Sequence, residues 1–204
     1  MAFSKNSYLP LIPPIPLDYD NWTKKQADEY LMWFTSNVPK RAKYILNCAG
    51  YDTCNESFCN HTSAVLLYIW KWLLSVACVE QVPKSILDKQ KVAWALFGDG
   101  FVSDIRLDIL TEYALRDIAM LVSYIFTLNY DGLYWGYDTK TKNYVFRNHP
   151  VLKGILDTRY KKPFQAVFEP VHMVGVQASK ILNHTAKETD LLCMYNYWAN
   201  LIPR

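Results

Sequence analysis

The spacing of apolar residues predicts helices from residue 23 onward. Thr23 and Gln26 match a capping box, in which each side chain binds the other residue's backbone at the start of a helix. The apolar residues that follow share one helical face: Ala27, Tyr30, Leu31 and Phe34. Pro39 suits the first turn of a second helix, which Gly50 is placed to end. The pattern therefore predicts two helices up to residue 50.

Two further apolar runs predict buried helices. The run at residues 64–79 follows a potential cap at Thr62, and Lys71 lies in its middle. It is shorter than the roughly 20 residues that span a bilayer, so it predicts a core helix and no membrane partner. A longer run, TEYALRDIAMLVSYIFTL, begins at Thr111 and is apolar on nearly every face beyond Ile118. Apolarity on all faces predicts a central helix that is buried on more than one side.

The pattern changes at residues 133–148, LYWGYDTKTKNYVFRN, where aromatic and β-branched residues flank the polar DTKT. This arrangement predicts a β-hairpin, to which VLKGIL at 151–156 could add a third strand. Shorter helices are predicted to begin at Pro83, Pro170 and Thr185. Together the elements predict an α+β fold: one mainly helical domain over residues 1–204, with the small antiparallel sheet packed on the long central helix.

The first 20 or so residues are predicted to form an extended, Pro-rich arm. LPLIPPIPL at residues 9–17 alternates proline with aliphatic residues, and proline fixes φ in the extended range. Such an arm can be a ligand for an aromatic groove on another protein, or it can pack on its own domain. The density of Leu and Ile favours packing on the domain, because exposing them all would promote aggregation.

Composition and charge exclude some classes of protein. Hydrophobic residues make up 51% of the chain and charged residues 20%, which excludes global disorder. The net charge is only +3 and the basic residues are scattered, so the sequence argues against a nucleic-acid partner. The first residues lack the apolar core of a secretion signal, which predicts a cytoplasmic protein with reduced thiols.

The stretch CAGYDTCNESFCNH supplies the candidate metal ligands Cys48, Cys54, Cys59 and His61. Structural zinc sites draw four ligands from paired cysteine or histidine knuckles. Here Cys54 and Cys59 are separated by four residues, at the edge of the usual spacing, and no second knuckle follows. Structural thiols in a connecting loop are the favoured interpretation, with a metal site or a redox pair as the alternatives. The sequence predicts no cofactor.

Catalytic signatures are missing, but three residues are candidates for a polar pocket. The chain has no G-x-S-x-G nucleophile motif and no phosphate-binding glycine loop. Asp117 is an acid within the otherwise apolar central helix, and His149 adjoins Arg147 at the predicted exit of the hairpin. If these three side chains converge, they would form a site between the central helix and the hairpin.

Four segments carry a resemblance to known proteins: NWTKKQADEYLMWFTSNVPKRAKYI, VLLYIWKWL, LYWGYD with YVFRNHPVL, and DLLCMYNYWANLI. In this order they resemble small, uncharacterised cytosolic proteins of Gram-positive bacteria and their mobile elements. Some such proteins are immunity or accessory partners of toxins. The resemblance implies a protein partner and transfers no active-site residues.

Two functions follow as hypotheses, and neither fixes an oligomeric state. The first is a non-enzymatic protein-binding module, of the immunity or inhibitor type, with the hairpin residues Tyr134, Tyr137 and Tyr144 as interface anchors. The alternative is an enzyme that acts on a small molecule in the predicted polar pocket. The lack of catalytic motifs favours the binding module.

Overall fold

The structure is a computed structural model that describes residues 8–51, 61–82, 105–139, 144–159 and 161–203. These ranges form five α-helices and two small antiparallel sheets, which confirms the predicted α+β, mainly helical class. The helices are α1 Lys24–Cys48, α2 Thr62–Val76, α3 Ile109–Asn129, α4 Pro170–Leu182 and α5 Asp190–Ala199. The strands are β1 Val79–Gln81, β2 Ile105–Leu107, β3 Tyr134–Gly136, β4 Val151–Asp157 and β5 Phe164–Phe168. No described helix is long and apolar enough to cross a membrane.

Helix α1 begins as predicted but does not break at Pro39. The Thr23 hydroxyl accepts from the Gln26 amide, and the Gln26 side chain accepts from the Thr23 amide over 2.9 Å. The predicted second helix is wrong, because α1 continues through Pro39 to Cys48. Pro39 is exposed, whereas the buried face of α1 runs on from Val38 to Ala42. Packing of this continuous face outweighs the one hydrogen bond that proline cannot donate.

Helix α3 is the central helix that the sequence predicts. Asp108 caps its start by accepting from the Thr111 amide over 2.9 Å. Every residue from Ala114 to Val122 is buried, including Arg116 and Asp117. Helices α1, α2 and α4 all pack against α3. The chain therefore surrounds α3 on several sides, as its uniform apolarity predicts.

The larger sheet has the order β3-β4-β5, with both pairings antiparallel. Strand β3 pairs with β4, so the predicted return strand at 144–148 is wrong and the suggested third strand is the central one. Residues 144–149 form turns instead, with Asn148 in the left-handed region at φ 63°. The Asn148 side chain donates to the Tyr19 carbonyl over 2.6 Å. This contact holds the segment against the N-terminal arm and away from the sheet.

The sheet packs on the central helix through aromatic contacts, as predicted. The ring of Phe168 on β5 lies 5.1 Å from that of Phe126 on α3. Helix α5 covers the same region, because Tyr195 stacks on Phe126 at 4.4 Å. This helix begins at Asp190 and not at Thr185, so that predicted start is wrong.

The turn before α5 is fixed by Asp190. Its carboxylate accepts from the Lys187 amide over 2.7 Å and from the Lys180 ammonium over 2.8 Å.

Two differences from the sequence prediction remain. The helix predicted from Pro83 lies outside the described residues. The short β1-β2 sheet is absent from the sequence prediction.

The N-terminal arm packs on the rest of the chain from residue 8 onward. Tyr8 is buried, and Leu11 and Ile15 are partly buried against the cluster of apolar residues on α1. Leu9 and Ile12 point outward and are 69% and 60% exposed. The arm therefore behaves mainly as a structural element of this protein, and it also displays an apolar outer face.

We expect Gly154→Ala to lower the free energy of unfolding by about 3 kcal/mol or more. Gly154 lies in β4 at φ 97°, and a Cβ there would clash with the carbonyl oxygen of Gly132. Gly132→Ala is the matched control, because Gly132 also has a positive φ, 85°, but open space around it. The control should lose only about 1 kcal/mol. Urea unfolding measures both, and equal losses would contradict the steric argument.

Candidate functional site

An open groove of about 470 Å³ runs beside strand β5. Its lining residues are Tyr144, Asp157, Arg159, Phe164, Gln165, Ala166, Val167, Tyr197, Trp198 and Leu201. Four consecutive residues of β5 line it, although neighbouring side chains of a strand point to opposite faces. The groove therefore follows the backbone edge of β5, which is an outer strand of the described sheet.

The walls of the groove are aromatic. Phe164 and Tyr197 are each 49% exposed, and Trp198 is half-buried with its ring 5.3 Å from that of Phe168. Helical spacing explains why α5 supplies two of these rings. Leu191, Tyr195 and Trp198 share one face of α5, so Trp198 packs on Phe168 of the sheet, and the neighbouring Tyr197 lies beside this face and is exposed.

A hydrogen-bonded chain fixes one end of the groove. Arg159 donates to Asp157 Oδ1 over 2.9 Å and to the Tyr197 hydroxyl over 2.7 Å. The guanidinium carbon also lies 4.9 Å from the centre of the Tyr197 ring. Hydrogen bonds from Arg159 hold the pKa of the Asp157 carboxyl below its usual value. Lys161 and Lys162 follow in sequence with exposed side chains, outside the residues that line the groove.

The three predicted anchor tyrosines lie in different environments. Tyr144 lines the groove. Tyr134 is 59% exposed on β3, at the opposite edge of the sheet from β5. Tyr137 packs toward α1 and donates its hydroxyl to Asp28, and burial together with Asp28 raises the pKa of Tyr137 to about 12. Of the three, Tyr144 lies at the groove, and their common role as anchors stays a prediction.

Asp117 is bound by the N-terminal arm and α1. Arg41 donates to both of its carboxylate oxygens, with 2.9 Å from Arg41 Nε to Asp117 Oδ1. The Tyr8 hydroxyl donates to Asp117 Oδ2 over 2.5 Å, and Arg41 also donates to the Leu9 carbonyl over 3.0 Å. Burial raises the pKa of the Asp117 carboxyl, although hydrogen bonds from Arg41 and Tyr8 oppose the change. This arrangement fastens the arm to the central helix.

His149 belongs to a second buried polar cluster. Its Nδ1 lies 3.2 Å from Glu169 Oε1, and its ring stacks on Tyr19 at 3.7 Å. Glu169 also accepts from the His172 amide and so caps α4. Arg147 has a buried Nε without a hydrogen-bond partner among the described residues.

No hydrogen bond or ion pair within the described ranges joins Asp117 to Arg147 or His149. Asp117 binds the arm and α1, while His149 binds Glu169. A shared pocket for these three residues therefore stays a prediction.

The candidate metal ligands are only partly described. Cys48 is half-buried at the end of α1, where burial raises the pKa of its thiol, and His61 is exposed just before α2. Cys54 and Cys59 lie outside the described residues. In the ranges that the structure covers, no group of three or more His, Cys, Asp or Glu residues could hold a metal ion. Metal binding by this loop stays an open alternative.

Glu112 is a perturbed acid at the start of the central helix. It lies in the first turn of α3, and burial raises its pKa from the usual 4.5 to about 7. Arg106 opposes this increase, while Glu80 and Asp108 add to it. The small β1-β2 sheet brings Glu80 and Arg106 into this region through their own ion pair. No sequence motif could have indicated this environment.

No protein-family model, curated protein or solved structure matches the chain. The candidate site therefore stands on its own geometry.

We expect Asp117→Asn to lower the free energy of unfolding by about 3 kcal/mol, because it leaves Arg41 buried without its counter-charge. Tyr8→Phe is the control, since it removes one hydrogen bond to the same carboxylate and keeps the ion pair. The control should lose about 1.5 kcal/mol. Urea unfolding at neutral pH compares the two. A loss for Asp117→Asn no larger than that of the control would contradict the buried ion pair.

We expect stability to fall between about pH 4.5 and pH 7 through Glu112. The folded protein holds this proton more tightly than the unfolded chain, so raising the pH through this window favours unfolding. Glu112→Gln should flatten the dependence of the free energy of unfolding on pH. Glu188→Gln, which changes an exposed glutamate paired with Lys71, is the control and should leave the dependence unchanged. Identical profiles for all three proteins would contradict the role of Glu112.

Proposed function

We propose that this protein is a non-enzymatic protein-binding module that holds another protein in the groove along β5. One observation carries the proposal: the exposed aromatic rings of Phe164 on β5 and Tyr197 on α5 line the same groove. Aromatic residues dominate the binding energy of protein interfaces, because they bury large surfaces with few rotatable bonds.

The groove is also organised before any partner arrives. The hydroxyl of Tyr197 accepts from Arg159, which Asp157 holds in place. The Trp198 ring packs on Phe168 of the sheet. Side chains that are already ordered lose little conformational entropy on binding, and this supports a high affinity.

The more specific proposal, a module of the immunity or inhibitor type, is supported by the sequence. A module of the immunity or inhibitor type acts by occupying its target, and the resemblance to toxin-associated proteins of Gram-positive bacteria supports this class. The described cysteines Cys48, Cys78 and Cys193 are free thiols, which is consistent with a cytoplasmic compartment.

A second candidate function is catalysis on a small molecule, and the His149–Glu169 pair favours it. A carboxylate that orients an imidazole is a common arrangement in general acid–base catalysis. However, the Tyr19 ring lies 3.7 Å from the imidazole and covers one of its faces, and His149 is only 7% exposed. A substrate would have to displace Tyr19, so binding along β5 is the better supported function.

We expect a photoreactive benzoylphenylalanine at position 197 to cross-link the partner in the native cell. The same group at position 68 is the control, because Tyr68 is 41% exposed on α2, away from the residues that line the groove. With the partner purified, Tyr197→Ala and Phe164→Ala should each weaken binding at least about 10-fold. Tyr68→Ala should not. Equal cross-linking from both positions, or unchanged affinity of both groove variants, would contradict the proposal.

A further inference from the structure

The aromatic wall of the groove limits what the groove can hold. The rings of Tyr197 and Trp198 lie almost at right angles, 83°, with their centres 6.0 Å apart. Trp198 is kept in this position by its edge contact with Phe168 on β5, and Tyr144 lines the same groove. Two rings that are perpendicular to each other cannot form one flat surface. This wall therefore offers a notch for a small, rigid apolar group.

The same wall carries hydrogen-bond donors that have no acceptor. Among the described residues, neither the indole N–H of Trp198 nor the hydroxyl of Tyr144 donates a hydrogen bond. The Tyr197 hydroxyl accepts from Arg159 over 2.7 Å, which leaves its own O–H to donate elsewhere. Covering a donor without pairing it costs about 1–3 kcal/mol. A bound segment must therefore bring acceptors to this wall.

Resting on the proposed function, we propose that the groove binds an uncharged, proline-rich segment of the partner protein in the polyproline II conformation. The backbone in this conformation makes no internal hydrogen bonds, so its carbonyls can accept from the groove. Proline brings a small, rigid ring and has no N–H that would need an acceptor. Docking of such segments on aromatic grooves is a recurring mode of peptide recognition.

Other backbone conformations match these donors less well. In an α-helix, the interior carbonyls already accept from the N–H groups of the helix itself. An ordinary extended strand has free carbonyls, but it also brings N–H groups that need acceptors. Asp157 is the only carboxylate among the described residues that line the groove, and it already accepts from Arg159. A segment with many acceptors and few donors is the better match.

The charges of the lining determine the composition of the segment. Asp157 and Arg159 are the only charged residues among the described residues that line the groove, and they form an ion pair. The described lining is therefore neutral as a whole. An uncharged segment complements it, because no unpaired charge is then taken out of water.

The proline-rich arm of a second copy is the nearest alternative occupant. Its outer face is apolar and exposed at Leu9 and Ile12. However, the Leu9 and Leu11 carbonyls already accept from Arg41 and Arg116 of the same chain. The docked arm therefore offers fewer free acceptors than a segment that is not bound to its own domain. A segment of a different protein fits the groove better.

The experiment selects displayed random 12-residue peptides on the whole purified protein and then synthesises the peptides that bind. We expect few charged residues and prolines that recur three positions apart, which is the period of polyproline II. Replacing two such prolines by alanine should weaken binding at least about 5-fold, because the free peptide becomes less ordered. Methylating the backbone nitrogens of the other residues should change affinity less than about 3-fold, because the groove pairs with carbonyls.

Trp198→Phe tests the indole donor, because it keeps an aromatic ring beside Phe168 and removes the N–H. The variant should bind the selected peptides about 5-fold to 10-fold more weakly. Trp33→Phe is the matched control, since Trp33 is also partly buried but lies on α1 outside the groove lining. The control should leave affinity unchanged. In the unaltered protein, peptide binding should also move the NMR signal of the Trp198 indole proton downfield.

The outcomes separate the two proposals. Peptides that need Tyr197 and Phe164 but lack the proline repeat, or that lose affinity on methylation, would overturn the polyproline II segment and leave the binding groove intact. Equal effects of Trp198→Phe and Trp33→Phe, or an unmoved indole signal, would also overturn it. Self-association that Tyr197→Ala abolishes would assign the groove to a second copy and overturn the foreign segment. If no selected peptide depends on Tyr197 or Phe164, both proposals are overturned.

Discussion

The pairing of Asp117 with Arg41 is the interaction on which the rest of this structure depends. A carboxylate in the middle of a fully surrounded helix must be neutralised inside the protein, because moving its charge out of water without a partner is prohibitive. Arg41 supplies the counter-charge from α1, and Tyr8 supplies a hydrogen bond from the arm. The neighbouring Arg116 donates to the Leu11 carbonyl over 2.8 Å. Two adjacent polar residues thus join three segments that are distant in sequence.

A second set of contacts on α3, around Phe126, positions the two elements that form the groove. Phe126 of α3 contacts both Phe168 on β5 and Tyr195 on α5, so the sheet and α5 meet on one face of the central helix. Where they meet, the rings of Phe164 and Tyr197 stay exposed. The Arg159 hydrogen bonds then hold Tyr197 in place there. The groove and a well-packed part of the core therefore share the same two elements.

Periodicity predicted much of the fold, because helices such as α3 are determined by their own residues. It was wrong where a distant contact decides the conformation. The continuous buried face of α1 keeps the helix intact at Pro39, where a break is expected from the sequence. The contact of Asn148 with the arm holds residues 144–148 in turns, where the sequence predicts a strand. The residues of the candidate site also divide into those that the sequence predicts and those that only tertiary packing brings together. Tyr144 is among the anchors that the sequence predicts, but Tyr197 reaches the groove only through the packing of α5 on the sheet, which no local pattern encodes.

The attachment of the arm has a consequence for the order of folding. Tyr8 and Asp117 are 109 residues apart, and Leu11 and Arg116 are 105 apart. The arm leaves the ribosome before α3, and its docking surface is complete only after α3 has been synthesised and packed. Contacts across such long loops form late in folding. We therefore expect the contacts of the arm with Asp117 and Arg116 to form late, so that they slow unfolding of the finished protein and contribute little to the speed of folding.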